Sequence, residues 1–268
     1  MESFADKTVI VTGAGRGVGR GVSEAFAEAG AHVMIAARTM SYAEEALAEI
    51  RSKGGSAEIF QIDVKDKARC LALVDATVER FGGLDVIVHS AADIPHGGLG
   101  QVSDKAIDAG FDSIAKAAWW ILQAARPHLA QARDGGRFIA ISSVCGPVTM
   151  VSGMTAYGMA KSALDAFVRG AALDLARENI TVNAVVPGLI ASARAKDILG
   201  DAGLSAYSAG IPVPRPGTPA DIAHACFFLA SARAGYVTGT NIKVDGGSTL
   251  STSDSSGILD RSLKNQQS

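Results

Sequence analysis

A short apolar run at residues 7–12 (KTVIVT) passes directly into TGAGRGVG at residues 12–19 and then into a helix-like segment at residues 18–29. Nothing else in the chain constrains its fold as much. The β-branched run favours an extended strand, and the glycines let the backbone turn sharply and run close to its surroundings. A strand that turns at once into a helix is the first half of a βαβ unit, whose two strands are parallel and joined by a crossover.

The same alternation recurs along the chain. Further strand-like runs lie at residues 31–36, 57–62, 84–89, 136–142, 180–186 and 239–244. Helical patterns lie at 42–53, 67–81, 111–133, around Tyr157, and at 221–229. This order predicts an α/β fold with a doubly wound, mostly parallel, Rossmann-like sheet and helices on both faces. A length of 268 residues, 48% hydrophobic, suits one such domain, expected at residues 1–250. A polar, Ser-rich tail follows at 251–268.

Composition excludes several classes. A net charge of −2 without a basic stripe argues against nucleic-acid binding. No apolar run is long enough to span a bilayer, and MESFADK lacks a signal-peptide core. Cys70, Cys145 and Cys226 are odd in number and far apart, which reads as a reduced, cytoplasmic protein without a metal framework.

The glycine-rich turn carries a binding chemistry. Gly13 permits the turn after the strand, while Gly17 and Gly19, flanking Val18, leave room for a pyrophosphate and for close helix–sheet packing. The helix N-terminus then offers unpaired N–H groups and a positive dipole end to phosphate. The second strand ends Ala36-Ala37-Arg38. A carboxylate there would hold the ribose of NAD, whereas an arginine accommodates the extra phosphate of NADP. Arg38, with Arg16 in the glycine loop, therefore favours NADP over NAD; the other reading is two solvated arginines.

Tyr157 and Lys161 stand four residues apart in MTAYGMAKSALDAF, about one helical turn, and so share a helix face. A phenol ordinarily titrates near pH ~10, and a nearby ammonium lowers that value by roughly one to three. The pair is an acid/base candidate, although the same spacing also describes an ordinary half-exposed helix face.

Taken together, these features resemble the short-chain dehydrogenase/reductase family over residues 7–248. The resemblance also rests on Asp63-Val64, on Ser142-Ser143 ahead of Tyr157, on Val182-Asn183, on Pro187-Gly188, on RPGTPADIA and on VDGG. It implies a hydride-transferring oxidoreductase. Tyr157 would be the general acid/base, Lys161 would lower its pKa and hold the nicotinamide ribose, and Ser143 would hydrogen-bond the substrate oxygen. Asp63 and Val64 would contact the adenine. Ser90 and Ala91 would lie along the cofactor, backbone at Pro187, Gly188 and Ile190 would meet the nicotinamide, and Ser192 would bind carboxamide or phosphate. Ser142 is expected to face the other side of its strand.

Two positions depart from the family pattern. His89-Ser90-Ala91-Ala92 stands where Asn-Asn-Ala-Gly is usual. Ile114 stands where the family places an Asn that helps hold a proton-relay water, unless a slip of one residue puts Ser113 there. Three readings stay open: an active enzyme with an altered relay, a slow enzyme, and a non-catalytic member.

The segments expected to line the substrate pocket, residues 94–98, 144–154 and 189–208, are mostly apolar: Ile94, Val144, Val148, Met150, Val151, Met154, Leu189 and Ile190. They suggest a bulky or apolar alcohol or ketone, such as an aryl ketone, a terpenoid or a steroid-like ring. A 3-oxoacyl-thioester reductase and an NADP-binding regulatory or scaffold protein are the alternatives. The resemblance further implies a homotetramer, or else a homodimer, with one of Trp119 and Trp120 in the core and the other at the interface.

Overall fold

The computed structural model describes residues 3–250 and, within these, all side chains but those of residues 193, 194 and 197–199; the tail expected at 251–268 lies outside them. Seven strands form one sheet: β1 (Thr8–Thr12), β2 (His32–Ala37), β3 (Ser56–Gln61), β4 (Val86–His89), β5 (Gly136–Ile141), β6 (Ile180–Pro187) and β7 (Asn241–Val244). Their order is β3-β2-β1-β4-β5-β6-β7, and every neighbouring pair is parallel. The sheet is thus wholly rather than mostly parallel, because a long crossover separates each strand from the next. Helices α1 (Gly17–Glu28), α2 (Met40–Ser52), α3 (Lys67–Phe81), α4 (Asp104–Phe111), α5 (Ala117–Leu129), α6 (Thr155–Leu175), α7 (Ala193–Ala209) and α8 (Pro219–Ala230) cover its faces.

Strands β1, β5 and β6 are buried at every residue, as continuous apolar runs covered on both faces should be. The two-residue period divides each strand between two cores. Ile10, Ile87, Phe138 and Val182 face the layer of α3, α5 and α6. Val9, Val11, Ile139 and Val185 face α1, α2 and α8, where Phe26 meets Phe4 and Phe227 at centroid distances of 4.9 and 4.8 Å. Local sequence sets the helix starts. In TPAD, Thr218 accepts the Asp221 N–H while the Asp221 carboxylate accepts the Thr218 N–H, and Pro219 takes the first helical position.

Three readings of the sequence are corrected. The helix expected at 111–133 is three pieces: α4, a π-helical turn at Asp112–Lys116, and α5. It starts early because Ser103 caps it by accepting the Ala106 N–H. Helix α7 falls where only pocket lining was expected; it is kinked at Gly200, whose φ is 63°, so no single apolar stripe runs through it. Strand β7 starts at Asn241 rather than 239, since Gly239 has a φ of 72° and cannot extend a strand. The strand order reverses between β1 and β4, which opens a crevice at the carboxyl ends of the strands.

Candidate active site

The crevice is a cleft of about 820 Å³. Every site residue expected from the sequence lines it: Gly13, Arg16, Gly17, Val18, Gly19, Arg38, Asp63, Val64, Ser90, Ala91, Ser143, Tyr157, Lys161, Pro187, Gly188, Ile190 and Ser192. Most come from the ends of β1 to β6 and the segments just after them, and Tyr157 and Lys161 come from α6, stretches far apart in sequence.

One wall is the glycine turn. A Cβ on Gly13 would lie 2.9 Å from Ala91 Cα, and one on Gly19 would lie 2.4 Å from the Gly13 carbonyl oxygen. A Cβ on Gly17 would make only an ordinary contact, 3.9 Å from Ser192 Cβ, and its need for glycine is conformational, with φ at 60°. At the start of α1, Arg16 makes no side-chain cap and the first turn holds no acidic residue. The helix therefore presents its N–H groups to the cleft without a carboxylate competing for them, and this arrangement fits a pyrophosphate.

The floor is braced by Thr12, whose Oγ1 accepts the N–H groups of Ser90 and Ala91 at 3.1 Å each. The same hydroxyl lies 2.9 Å from His89 Nδ1. The unusual HSAA sequence thus keeps a bonded β4 terminus, with an imidazole where an amide was expected. Ile114 is wholly buried in the core, and its carbonyl lies 3.1 Å from His89 Nε2. Ser113 lines the cleft; its hydroxyl donates to the Ala109 carbonyl at 2.7 Å and accepts the Asp93 N–H at 2.9 Å.

At the end of the cleft beside β2, Arg38 is exposed and is not a lone cation. It lies 3.4 Å from Asp93 and 3.9 Å from Asp63, and Lys65 bridges the same carboxylates at 2.6 and 3.2 Å. Asp93 and Lys65 were not singled out from the sequence; they sit on turns that meet only in the folded chain. Arg16 lies over the Tyr42 ring, 5.6 Å from its centroid.

The opposite wall is α6. Tyr157 and Lys161 are both buried on one face, with Lys161 Nζ 5.6 Å from the phenol ring centroid. Nζ donates to the Ile141 carbonyl at 2.6 Å. Burial lowers the Lys161 pKa to about 8, opposed by the negative charge of Asp165 one turn further along. Asp165 is itself buried; desolvation raises its pKa, while hydrogen bonds from Ser142 (2.5 Å) and Asn241 pull it down. Ser142 and Ser143 separate as expected: the Ser142 hydroxyl turns to Asp165, and Ser143 Oγ accepts the Cys145 N–H at 3.0 Å on the cleft side.

The apolar residues expected to meet substrate divide into three groups. Ile94 and Ile190 line the cleft. Val148, Met150 and Val151 are exposed on the loop before α6. Val144 and Met154 pack against the core, and Leu189 is half-buried. Trp120 packs on the core while its neighbour Trp119 is exposed on α5.

The arrangement has known counterparts. The family model described as enoyl-(acyl carrier protein) reductase matches residues 13–249. The 7α-hydroxysteroid dehydrogenase of Clostridium sardiniense is 34% identical over 260 residues, 94% of this chain and 97% of its own length. A short-chain type dehydrogenase/reductase from Mycobacterium ulcerans superposes with a TM-score of 0.87 at 34% identity, over 97% of this chain and 96% of its own. A 7α-hydroxysteroid dehydrogenase in complex with NADH and 7-oxo glycochenodeoxycholic acid superposes at 0.86 and 28% identity, over 91% and 95%. A match of this extent, over a wholly parallel sheet with its cleft at the β1/β4 reversal, places the chain in the short-chain dehydrogenase/reductase family of NAD(P)-dependent oxidoreductases.

Proposed function

We propose that the protein interconverts a bulky, apolar alcohol and its ketone with NADP(H). The observation that carries this reading is a Tyr157 and a buried Lys161 facing the same cleft as a glycine-walled helix N-terminus. A nicotinamide bound there would supply or accept the hydride. The remaining work falls to the chain. Tyr157 protonates the substrate oxygen in reduction and takes the hydroxyl proton in oxidation. Lys161, charged below pH 8, favours the phenolate. Ser143 Oγ accepts the Cys145 N–H, which leaves its own hydrogen to donate to the substrate oxygen as negative charge develops.

NADP is favoured because Ala36 and Ala37 supply no carboxylate at the end of β2, while Arg38 and Arg16 line the cleft and can meet an extra phosphate. The exposed apolar loop at Val148, Met150 and Val151, together with Ile94 and Ile190, supports an apolar ring substrate, and relatives that act on steroids support it further. A thioester substrate is the second reading, favoured by the description of the matching family model. Exposed Trp119 on α5 supports assembly as a homotetramer or homodimer. Three free, buried cysteines support a reduced, cytoplasmic setting; among the described residues no helix is long and apolar enough to cross a membrane.

Nicotinamide absorbance followed over a panel of steroid, terpenoid and aryl ketones, and of 3-oxoacyl thioesters, tests the proposal. Turnover of a cyclic ketone with NADPH is expected. Turnover of thioesters alone would favour the second reading, and tight NADPH binding without turnover of any substrate would indicate a binding protein.

A further inference from the structure

At the end of the cleft beside β2, four charged side chains of alternating sign come together from three turns. Arg38 follows β2, Asp63 and Lys65 follow β3, and Asp93 follows β4. In the sheet, β2 and β1 lie between β3 and β4, a separation of about 14 Å at the usual strand spacing. The 2.6 Å contact between Lys65 Nζ and Asp93 Oδ2 therefore joins turns that stand on either side of two inner strands. Backbone anchors both ends of this tie. The Lys65 N–H donates to Asp63 Oδ1 at 3.1 Å, and the Asp93 N–H donates to Ser113 Oγ at 2.9 Å. Burial works to lower the Lys65 pKa, but its hydrogen bonds to Asp93 and Asp63 raise it above the ordinary 10.5, so the lysine is charged at neutral pH.

The Asp93 carboxylate is divided between two cations. Oδ2 faces Lys65 at 2.6 Å, and Oδ1 lies 3.4 Å from Arg38 Nη1. The shorter contact gives Lys65 the larger share of its charge. Both ion-pair contacts of Arg38 are long, the second being 3.9 Å to Asp63, and its side chain is the most exposed of the four. Arg38, Asp63 and Asp93 line the cleft, whereas Lys65 stands behind them.

We propose that Lys65 is a positioning residue that sets the cofactor preference, by sharing the Asp93 carboxylate that would otherwise pair with Arg38 alone. The proposal rests on the reading that Arg38 meets the extra phosphate of NADPH. With all four side chains charged, the group is neutral. Without the lysine charge it carries one net negative charge, and Asp93 keeps Arg38 as its remaining ion-pair partner. A phosphate arriving at Arg38 then meets an occupied guanidinium beside an uncompensated carboxylate, and the like charges repel. NADH brings no phosphate to this position, so its binding is insensitive to the change.

Fluorescence titration of the full chain with NADPH and with NADH tests this, using Lys65→Gln, Asp93→Asn and the double variant. Lys65→Gln should weaken NADPH binding roughly 5- to 10-fold and leave NADH binding within about twofold. Much of that difference should fade in about 1 M salt, where exposed charges are screened. Lys65→Arg should restore the wild-type preference. The deciding measurement is the coupling: in the Asp93→Asn background, Lys65→Gln should change NADPH affinity by less than about twofold. A loss of undiminished size in that background would mean that the lysine meets the phosphate itself. A matching loss of NADH affinity would mean that it only holds the turn. Either result overturns the proposal. An Arg38→Leu variant that loses NADPH affinity while Lys65→Gln keeps it overturns the proposal and leaves the NADP reading standing. Wild-type protein that binds NADH more tightly, with the coupling intact, sinks the NADP reading alone. No arm needs turnover, so the result does not depend on which substrate the protein takes.

Discussion

The Asp165 carboxylate stands one helical turn beyond Lys161 on α6, and its negative charge opposes the burial that brings the lysine pKa down to about 8. Its other contacts, to Ser142 on the β5 side and Asn241 on β7, hold it in place as an acceptor. An asparagine loses the charge yet can keep both partners, its oxygen accepting from Asn241 while its NH2 donates to the Ser142 hydroxyl, which turns to accept. In Asp165→Asn the lysine should therefore lose its proton at lower pH, and the alkaline limb of ketone reduction should move down from about pH 8. A kcat profile against pH checks this; an unmoved or raised limb would show that Asp165 does not act through Lys161.

Lys161 should also cost the protein stability. Its ordinary value is 10.5 and its folded value about 8, so below pH 8 the folded state carries a buried charge that the unfolded state leaves in water. The cost is full below pH 8 and is relieved as pH rises from 8 to 10.5. Lys161→Met should thus stabilise the fold by about 1–3 kcal/mol at neutral pH, after the lost bond to the Ile141 carbonyl is counted. The gain should shrink above pH 8, while kcat falls by roughly 100-fold or more. Denaturant melts at pH 7 and pH 10 decide it; a variant less stable than wild type at pH 7 would contradict the argument.

The two glycines of the turn should fail in different ways. In Gly19→Ala the new methyl meets the Gly13 carbonyl oxygen at 2.4 Å, which should cost about 1–3 kcal/mol and deform the glycine wall. In Gly17→Ala the methyl meets nothing closer than 3.9 Å but the φ of 60° is unfavourable, so about 1–2 kcal/mol is lost. Cofactor titration by fluorescence alongside melts should find affinity lost far more in the first variant. Equal losses would mean that the wall deforms in both.

Arg38 and Asp93 should shift the cofactor preference in opposite directions. Arg38→Leu removes the cation expected to meet the extra phosphate of NADPH, so NADPH affinity should fall about 10-fold or more while NADH affinity stays nearly constant. Asp93→Asn frees Arg38 from the carboxylate 3.4 Å away and should tighten NADPH binding. Wild-type protein that binds NADH tighter than NADPH would remove the basis for both expectations.

The parts of this molecule that the sequence conveys are those written by neighbouring residues. A buried parallel strand such as GRFIAI is an apolar run, and the glycine turn and the Tyr157–Lys161 spacing each lie within one turn of chain. What escapes is written by distance. His89 and Ile114 are 25 positions apart, and Asp93 reaches Lys65 across 28. The π turn at Asp112–Lys116 leaves no mark in a helical pattern, because it shifts the backbone pairing by one residue without changing composition. Helix α7 is hidden by its own break at Gly200.

The strand order also sets a timetable for a chain made from its N-terminus. From β1 the sheet extends one way through β2 and β3, then the other way from β4 to β7, each strand joining an edge that already exists. The glycine turn and the Ser90–Ala91 floor are both in hand once β4 has docked beside β1. Tyr157 and Lys161 arrive only with α6, after β5. The glycine wall of the cleft is thus built before the part suited to move a proton exists, while the cleft residues at 187–192 arrive later still, with β6.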